Sequence, residues 1–242
     1  IIETMARHQK AMRLHDIAET CDMPSSTTLR MLTTLQKYGY VEQDIDTQRY
    51  FLTVKFCHLS NLVSWQISIR NTVHPQLADL AQTVGEYTTL AIEREMVLHY
   101  IDEINPQVRF TSLRIMEGVG RTAMLHSNGI GKLFLSQYDL KKLNYYIDKF
   151  GLPRLTNNTL TTKEKLLENL SLIRSRGFSV DDEESEVGVR SIAVPVKDWQ
   201  GNIICGISIA CPSPRYSIDR LTELAPLLLK VADNISKRYF HE

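Results

Sequence analysis

Nothing in these 242 residues is apolar for long enough to be read as a membrane span, and no basic-then-apolar leader opens the chain. The most apolar stretch, Ile203 to Ala210, is short, carries Cys205, Gly206 and Ser208, and reads as a buried strand. Cysteine is scarce too. Cys21, Cys57, Cys205 and Cys211 form no CxxC pair and no cysteine–histidine spacing suited to zinc. We therefore expect small buried thiols in a reducing cytoplasm, with no disulfide, metal or cofactor. The histidines are scattered, and neither a G-x-S-x-G elbow nor an HExxH pattern is present, which leaves little support for catalysis. Gly129-Ile130-Gly131-Lys132 lacks the earlier glycine and the following Ser/Thr of a phosphate loop, so Lys132 reads as structural or solvated. The chain begins at Ile1, and a few residues are expected to have been trimmed before it.

What is present is 43% hydrophobic sequence, enough for two modest domains or one large one. Net charge is zero, and residues 1–55 balance seven Lys/Arg against seven Asp/Glu. If nucleic acid is the partner, positive charge must be concentrated locally. Leu14, Ile17, Ala18 and Cys21 mark one face of a short helix that ends at Asp22-Met23-Pro24. Ser25 or Ser26 can cap a second helix, running from about Ser26 to Tyr38 and stopped by Gly39. Its inward face is Thr28, Met31 or Leu32, Leu35 and Tyr38. Its outer face carries Ser25, Ser26, Thr27 and Arg30, then Thr33, Thr34 and Lys37.

From Pro24 to Tyr38 there are two basic residues and no acidic one. Two short helices joined by a tight turn, the second cationic outside, suit the major groove of DNA. Small hydroxyls at the helix start can bond phosphates, and Arg30 can read guanine or clamp a phosphate. An ordinary solvated amphipathic helix has the same pattern. A hairpin after it, Val41 and then Arg49 to Leu52 across the turn Asp44 to Gln48, reads as a wing. Arg49 then either meets phosphate or offsets Asp44 and Asp46.

Phe56, Leu59, Leu62, Val63 and Ile67 form a helical stripe. A second helix carries Pro75 in its first turns and ends at Gly85. Strands are expected over Thr88–Glu93, Met96–Glu103 and Val108–Leu113. Helices are expected near Gly129–Gln137, Leu140–Phe150 and Lys163–Arg176, and strands again at Phe178–Asp182, Ser191–Val196 and Ile203–Ala210. The hairpin turn between the last two strands is Asp198 to Asn202, and one final helix spans about Ile218 to Tyr239. Strands in runs, with helices segregated between them, indicate an α+β antiparallel sheet domain. Ser127 is positioned to cap the helix beginning at Gly129, leaving the N–H groups of Gly129 and Ile130 for an anion.

The segment Leu14 to Cys21, followed by MPSSTTLRMLTTLQKYGYVEQ and RYFLTVKF, resembles the DNA-binding domain of the IclR (isocitrate lyase regulator) family. The matching signature is Ser26-Thr27, Arg30, Leu32, Leu35 and Gly39-Tyr40-Val41. Leu29 departs from it, and a leucine facing the groove can meet thymine methyls. The stretches GVGRTAMLHSNGIGKLFLS and IRSRGFSVDDEESEVGVRSIAVPVKDWQGNIICGISIACP resemble the family's GAF- or profilin-like effector domain.

The resemblance implies a winged helix-turn-helix over 1–55, a linker helix over 56–72 and an effector-binding domain over 73–242. It implies carboxylate effectors held at Gly129, Ile130, Asp181, Ser191, Ser208 and Ala210. Ala210 cannot donate a serine's hydroxyl, and Ile130 is bulkier than the alanine common in the family, which reshapes the pocket. An acidic Asp181 in such a site implies a ligand that also carries hydroxyls or a proton to share. The function implied is a cytoplasmic, non-enzymatic regulator, with repressor favoured by the family's habit. It would act as a homodimer or tetramer on a palindromic operator in double-stranded DNA, controlled by a small organic acid. Two alternatives stay open: an enzyme acting on a small acid through His126 or Asp181, and a sensor whose winged helix binds protein.

Overall fold

The computed structural model describes residues 1–59, 68–106 and 119–239. The chain divides into two compact units, Ile1–Gln66 and Ile67–Glu242.

In the first unit, helices α1 (Ile2–His8), α2 (Leu14–Thr20) and α3 (Ser25–Lys37) precede the hairpin β1 (Val41–Gln43) and β2 (Tyr50–Leu52). The apolar faces read from the sequence converge on one small core. Met5, Met12, Ile17, Leu32, Val41 and Tyr50 are all buried there. Met12 extends the wing by one rung, pairing with Tyr50 through two backbone hydrogen bonds of 2.8–2.9 Å. The expected inward face of α3 holds at Leu32, one of its two alternatives, and needs correction at Tyr38. Leu32 takes the core position while Met31 is 43% exposed, and Tyr38 is 57% exposed. The helix ends at Lys37, so Tyr38 no longer continues its buried stripe.

Residues 55–59 are helical. Of the linker helix expected over 56–72, residues 60–67 lie outside the described residues, as does the strand expected over Val108–Leu113. Helix α4 (Ser68–Val84) runs through the boundary expected at 72/73 and holds Pro75 within it.

Among the described residues, the second unit is built on one antiparallel sheet of six strands: β3 (Tyr87–Arg94), β4 (Val97–Ile104), β5 (Thr122–Met124), β6 (Ser179–Asp182), β7 (Val189–Lys197) and β8 (Ile203–Pro212). Their order is β5-β4-β3-β8-β7-β6. The α+β assignment therefore holds, and the short edge strand β5 is one that hydrophobic alternation did not reveal. Side chains alternate across the sheet, as the two-residue period of a strand requires. Leu90, Ile192, Val194, Ile207 and Ile209 face one layer with Val73, Leu77, Leu228 and Ile235. Ala91, Leu98, Tyr100 and Ala193 face the other, packed by α5 (Gly129–Ser136), α6 (Leu140–Phe150) and α7 (Lys163–Arg176).

The single terminal helix expected from Ile218 to Tyr239 is two, α8 (Ile218–Thr222) and α9 (Ala225–Tyr239). Pro226 explains the break, since it has no N–H to bond Thr222 and its ring crowds that carbonyl.

Two glycines set how closely α5 lies on its neighbours. A Cβ on Gly131 would come within 2.4 Å of the Leu125 carbonyl oxygen, and one on Gly206 within 2.2 Å of Ile130 Cγ2. Helix and sheet thus meet backbone-to-side-chain, with no room for a methyl group. Gly131→Ala is expected to lower stability by about 1–3 kcal/mol, read as a lower urea midpoint with an unchanged slope. An unchanged midpoint would mean that the loop before α5 yields freely.

Candidate functional site

The outer face of α3 is open. Ser25, Ser26 and Arg30 are exposed, Thr27 is half-buried, and Leu29 is 43% exposed. The residue before the helix is Pro24, not a serine, and no side chain caps it. The first intrahelical bond is Thr28 N–H to Pro24 O at 3.0 Å, and the Thr28 hydroxyl donates to the same oxygen. Ser25, Ser26 and Thr27 thus lie in the turn whose N–H groups have no intrahelical acceptor, and the positive end of the helix dipole adds to them. That correction strengthens the chemistry: with no capping side chain occupying them, these donors remain available to an anion. Thr33 and Thr34 are less available, because their hydroxyls donate to Leu29 O and Arg30 O.

The wing turn is held by Asp44, which accepts from both the hydroxyl and the N–H of Thr47 at 2.7 Å. These bonds, the hydroxyl's first, hold the Asp44 carboxyl below its ordinary value. Arg49 is exposed, and among the described residues its guanidinium pairs with neither Asp44 nor Asp46 and makes one long 3.5 Å contact, to Ala11 O.

The second candidate is a recess of about 210 Å³ in the sheet face that α5 covers. Asp181, Ser191, Ser208 and Ala210 all line it, brought together from β6, β7 and β8. Register explains the convergence, since Ser191 pairs with both Asp181 and Ala210 across adjacent strands. Ser208 sits opposite Thr89, and their hydroxyls meet at 2.7 Å.

The α5 end differs from expectation. Asn128, not Ser127, caps the helix, accepting from Ile130 N–H at 3.0 Å and Gly131 N–H at 3.4 Å. Ile130 N–H is therefore not free, and its side chain lies in the core against Gly206. Gly129 stays beside the recess, where an added Cβ would come within 3.1 Å of Ser191 Oγ.

Behind the recess lies a buried charge cluster. Lys132 is completely buried and donates to Val180 O at 2.7 Å and to a Glu184 carboxylate oxygen. Asp181 is buried as well. It accepts from Glu184 N–H and the Ser185 hydroxyl, each at 2.7 Å, which folds the 181–185 turn around it. Burial raises the Asp181 carboxyl, while Lys132 pulls it back. Glu184 is also raised by burial, again opposed by Lys132. Lys132 is thus structural, as one of the two readings of the sequence had it. Among the lining residues that sequence reasoning did not single out are Tyr100 and Arg121; Arg121 lies within the stretch that resembles the effector domain, where nothing set it apart from its neighbours.

His126 is buried away from the recess, with Nε2 at 3.1 Å from Pro153 O and Nδ1 at 3.3 Å from the Tyr146 hydroxyl. Both ring nitrogens are spent within the fold, so it is not placed to serve as a base in the recess.

A winged helix-turn-helix with an uncapped, cationic second helix, joined in one chain to a sheet unit with a polar recess, defines a DNA-binding transcription regulator. The chain belongs to the IclR family. The family's helix-turn-helix domain matches residues 1–44, and the bacterial transcriptional regulator IclR C-terminal domain matches residues 62–237. The chain is 32% identical to the HTH-type transcriptional regulator KdgR of Dickeya chrysanthemi over 94% of this chain and 74% of that one. It is 30% identical to the transcriptional repressor IclR of Escherichia coli K12, over 99% and 87%. The crystal structure of the Thermotoga maritima IclR matches with a TM-score of 0.74 at 28% identity, covering 95% of this chain and 91% of that one. The family and these relatives are transcriptional regulators, not enzymes. Among the described residues, no helix is long and apolar enough to cross a membrane, and no group of side chains could hold a metal ion.

The His126 environment predicts a pH dependence. Burial lowers its pKa below the ordinary histidine value of about 6.5. Below that value the unfolded chain takes up a proton that the folded chain refuses, so stability falls as pH falls through this window. Urea unfolding at about pH 7.5 and about pH 5.5 is expected to show a smaller loss for His126→Gln than for the wild type. Equal losses would place the acid sensitivity elsewhere.

Proposed function

We propose that this regulator represses a catabolic operon in the cytoplasm. In this reading it binds a palindromic operator as a homodimer or tetramer and releases it when a small organic acid or sugar-derived ligand occupies the sheet recess. The observation that carries the ligand half is the convergence of Asp181, Ser191 and Ser208 on one polar recess, from three strands. Buried hydroxyls and a carboxylate lining a void of that size favour a small, hydrogen-bonding ligand over an apolar one. The repressor name of the Escherichia coli relative supports the sign of regulation. Gly129 contributes close approach along the main chain, and Ala210 contributes space rather than a hydrogen bond.

On the DNA side, Ser25, Ser26 and Thr27 would hold phosphate and fix the register of α3. Arg30 and Leu29 would reach base edges, Leu29 through a thymine methyl, with Arg49 of the wing on the flanking backbone. Two-fold symmetry sets recognition helices in successive major grooves, and a ligand that prefers one spacing changes DNA affinity. A preference of about 1–3 kcal/mol changes that affinity roughly 5- to 150-fold.

The test is a gel shift on DNA flanking the regulator's own gene, run across salt concentrations with and without ligands found by thermal shift. Complex that weakens steeply with salt and is lost on adding ligand supports the reading. Binding that ignores salt, or no ligand-dependent change, overturns it. Arg30→Ala is expected to cost about 1–3 kcal/mol and to relax specificity at one position per half-site. Uniform weakening on all sequences would make Arg30 a phosphate clamp, and no effect would remove α3 from the groove.

A further inference from the structure

Resting on the reading of the recess as an effector site, we infer that Arg121 and Tyr100 hold the carboxylate of the effector, with its hydroxyl-bearing end toward Ser191 and Asp181. This places the acid group away from the Gly129 and Ile130 end.

Among the described residues lining the recess, Arg121 is the one Lys or Arg; the other charged ones are Asp181 and Glu186. It is half-buried just before β5 and stacks on the Tyr100 ring, 4.2 Å from the centroid. Among the described residues it has no ion pair, and its Nε–H is buried with no hydrogen-bond partner. A buried guanidinium donor without an acceptor is costly, and a ligand carboxylate would repay that cost with a charge-assisted bond.

Tyr100 completes the clamp. Its hydroxyl oxygen accepts from Asn128 Nδ2 at 2.6 Å, which leaves its own proton to donate. Burial raises its pKa, so that proton stays in place at neutral pH.

The opposite end offers an anion less, because it is lined by Asp181 and Ser191 with no cation among the described residues of its lining. The Ile130 N–H that would have received it is taken by Asn128. A ligand hydroxyl suits this end better, because the Asp181 carboxyl, held by Glu184 and Ser185, keeps acceptor capacity beyond those bonds. The volume, about 210 Å³, equals the liquid share of about seven waters at roughly 30 Å³ each. Short-chain hydroxy monocarboxylates are the class that fits in charge, hydroxyl content and size.

The probes are glycerate, erythronate and gluconate, each beside its reduced polyol (glycerol, erythritol and glucitol). Thermal shift on the full chain finds binders, and titration calorimetry compares wild type, Arg121→Gln and Arg121→Lys, with circular dichroism confirming that the variants fold. At least one acid is expected to bind where its polyol does not. Arg121→Gln should weaken that acid about tenfold or more and remove the discrimination, while Arg121→Lys keeps part of it. Equal binding of acid and polyol, or an acid affinity indifferent to Arg121→Gln, overturns the inference and leaves the effector site standing. If no acid and no polyol binds the wild-type chain, the effector-site reading fails, and the inference fails with it.

Discussion

The sheet unit turns on one buried cation. Lys132 leaves helix α5, passes beneath the recess and ends on Val180 O and Glu184, so one side chain ties the covering helix to the β6 strand and the turn after it. Burying an ammonium is expensive unless it is paired and hydrogen-bonded, and removing the partner of a buried pair leaves an uncompensated charge. The pair therefore constrains where α5 can lie. It also holds the 181–185 turn closed around Asp181, and Asp181 is the acidic wall of the recess. Glu184 Oε2 has no partner, so the cluster is held by Lys132 with little to spare.

That constraint gives the recess two unlike ends. At one, Asp181 and Ser191 lie close beside the start of the α5 backbone, where a methyl group on Gly129 would come within 3.1 Å of Ser191 Oγ. At the other, Arg121 stacks on Tyr100 with an unmet donor. A ligand with a charged head and hydroxylated tail can satisfy both ends only in one orientation. The winged unit shows the complementary economy. Its net charge is zero, yet α3 presents donors and Arg30 with no acid on the same helix. Local placement does what total composition does not, because screened charges act over about a Debye length.

Much of the fold was legible in the sequence, because core faces must repeat with the period of their element. The helix expected near Lys163–Arg176 is α7, with Leu166, Leu170 and Ile173 buried, and the strands expected at Ser191–Val196 and Ile203–Ala210 are β7 and β8. The misses have physical reasons. Asn128 and Ser127 are equally good caps, so which one holds α5 depends on a one-residue shift that periodicity does not resolve. Tyr38 left the core because the helix stopped one residue earlier than its apolar pattern. Pro226 broke a stripe whose hydrophobic spacing continued across it. Of the site, Asp181, Ser191, Ser208 and Ala210 came from family resemblance, and strand register explains why they converge. Arg121 and Tyr100 carried no such signal. One precedes a three-residue edge strand, and the other looks like any strand aromatic.

The buried pair is open to direct test by a double-mutant cycle of Lys132→Met and Glu184→Leu, with stability read from urea unfolding. Each single change is expected to cost about 3–5 kcal/mol, because each strands the partner's charge. The double variant should cost less than their sum by about 1 kcal/mol or more. Strictly additive costs, or a Lys132→Met chain as stable as the wild type, would contradict the role of this ion pair as the fastening of the recess.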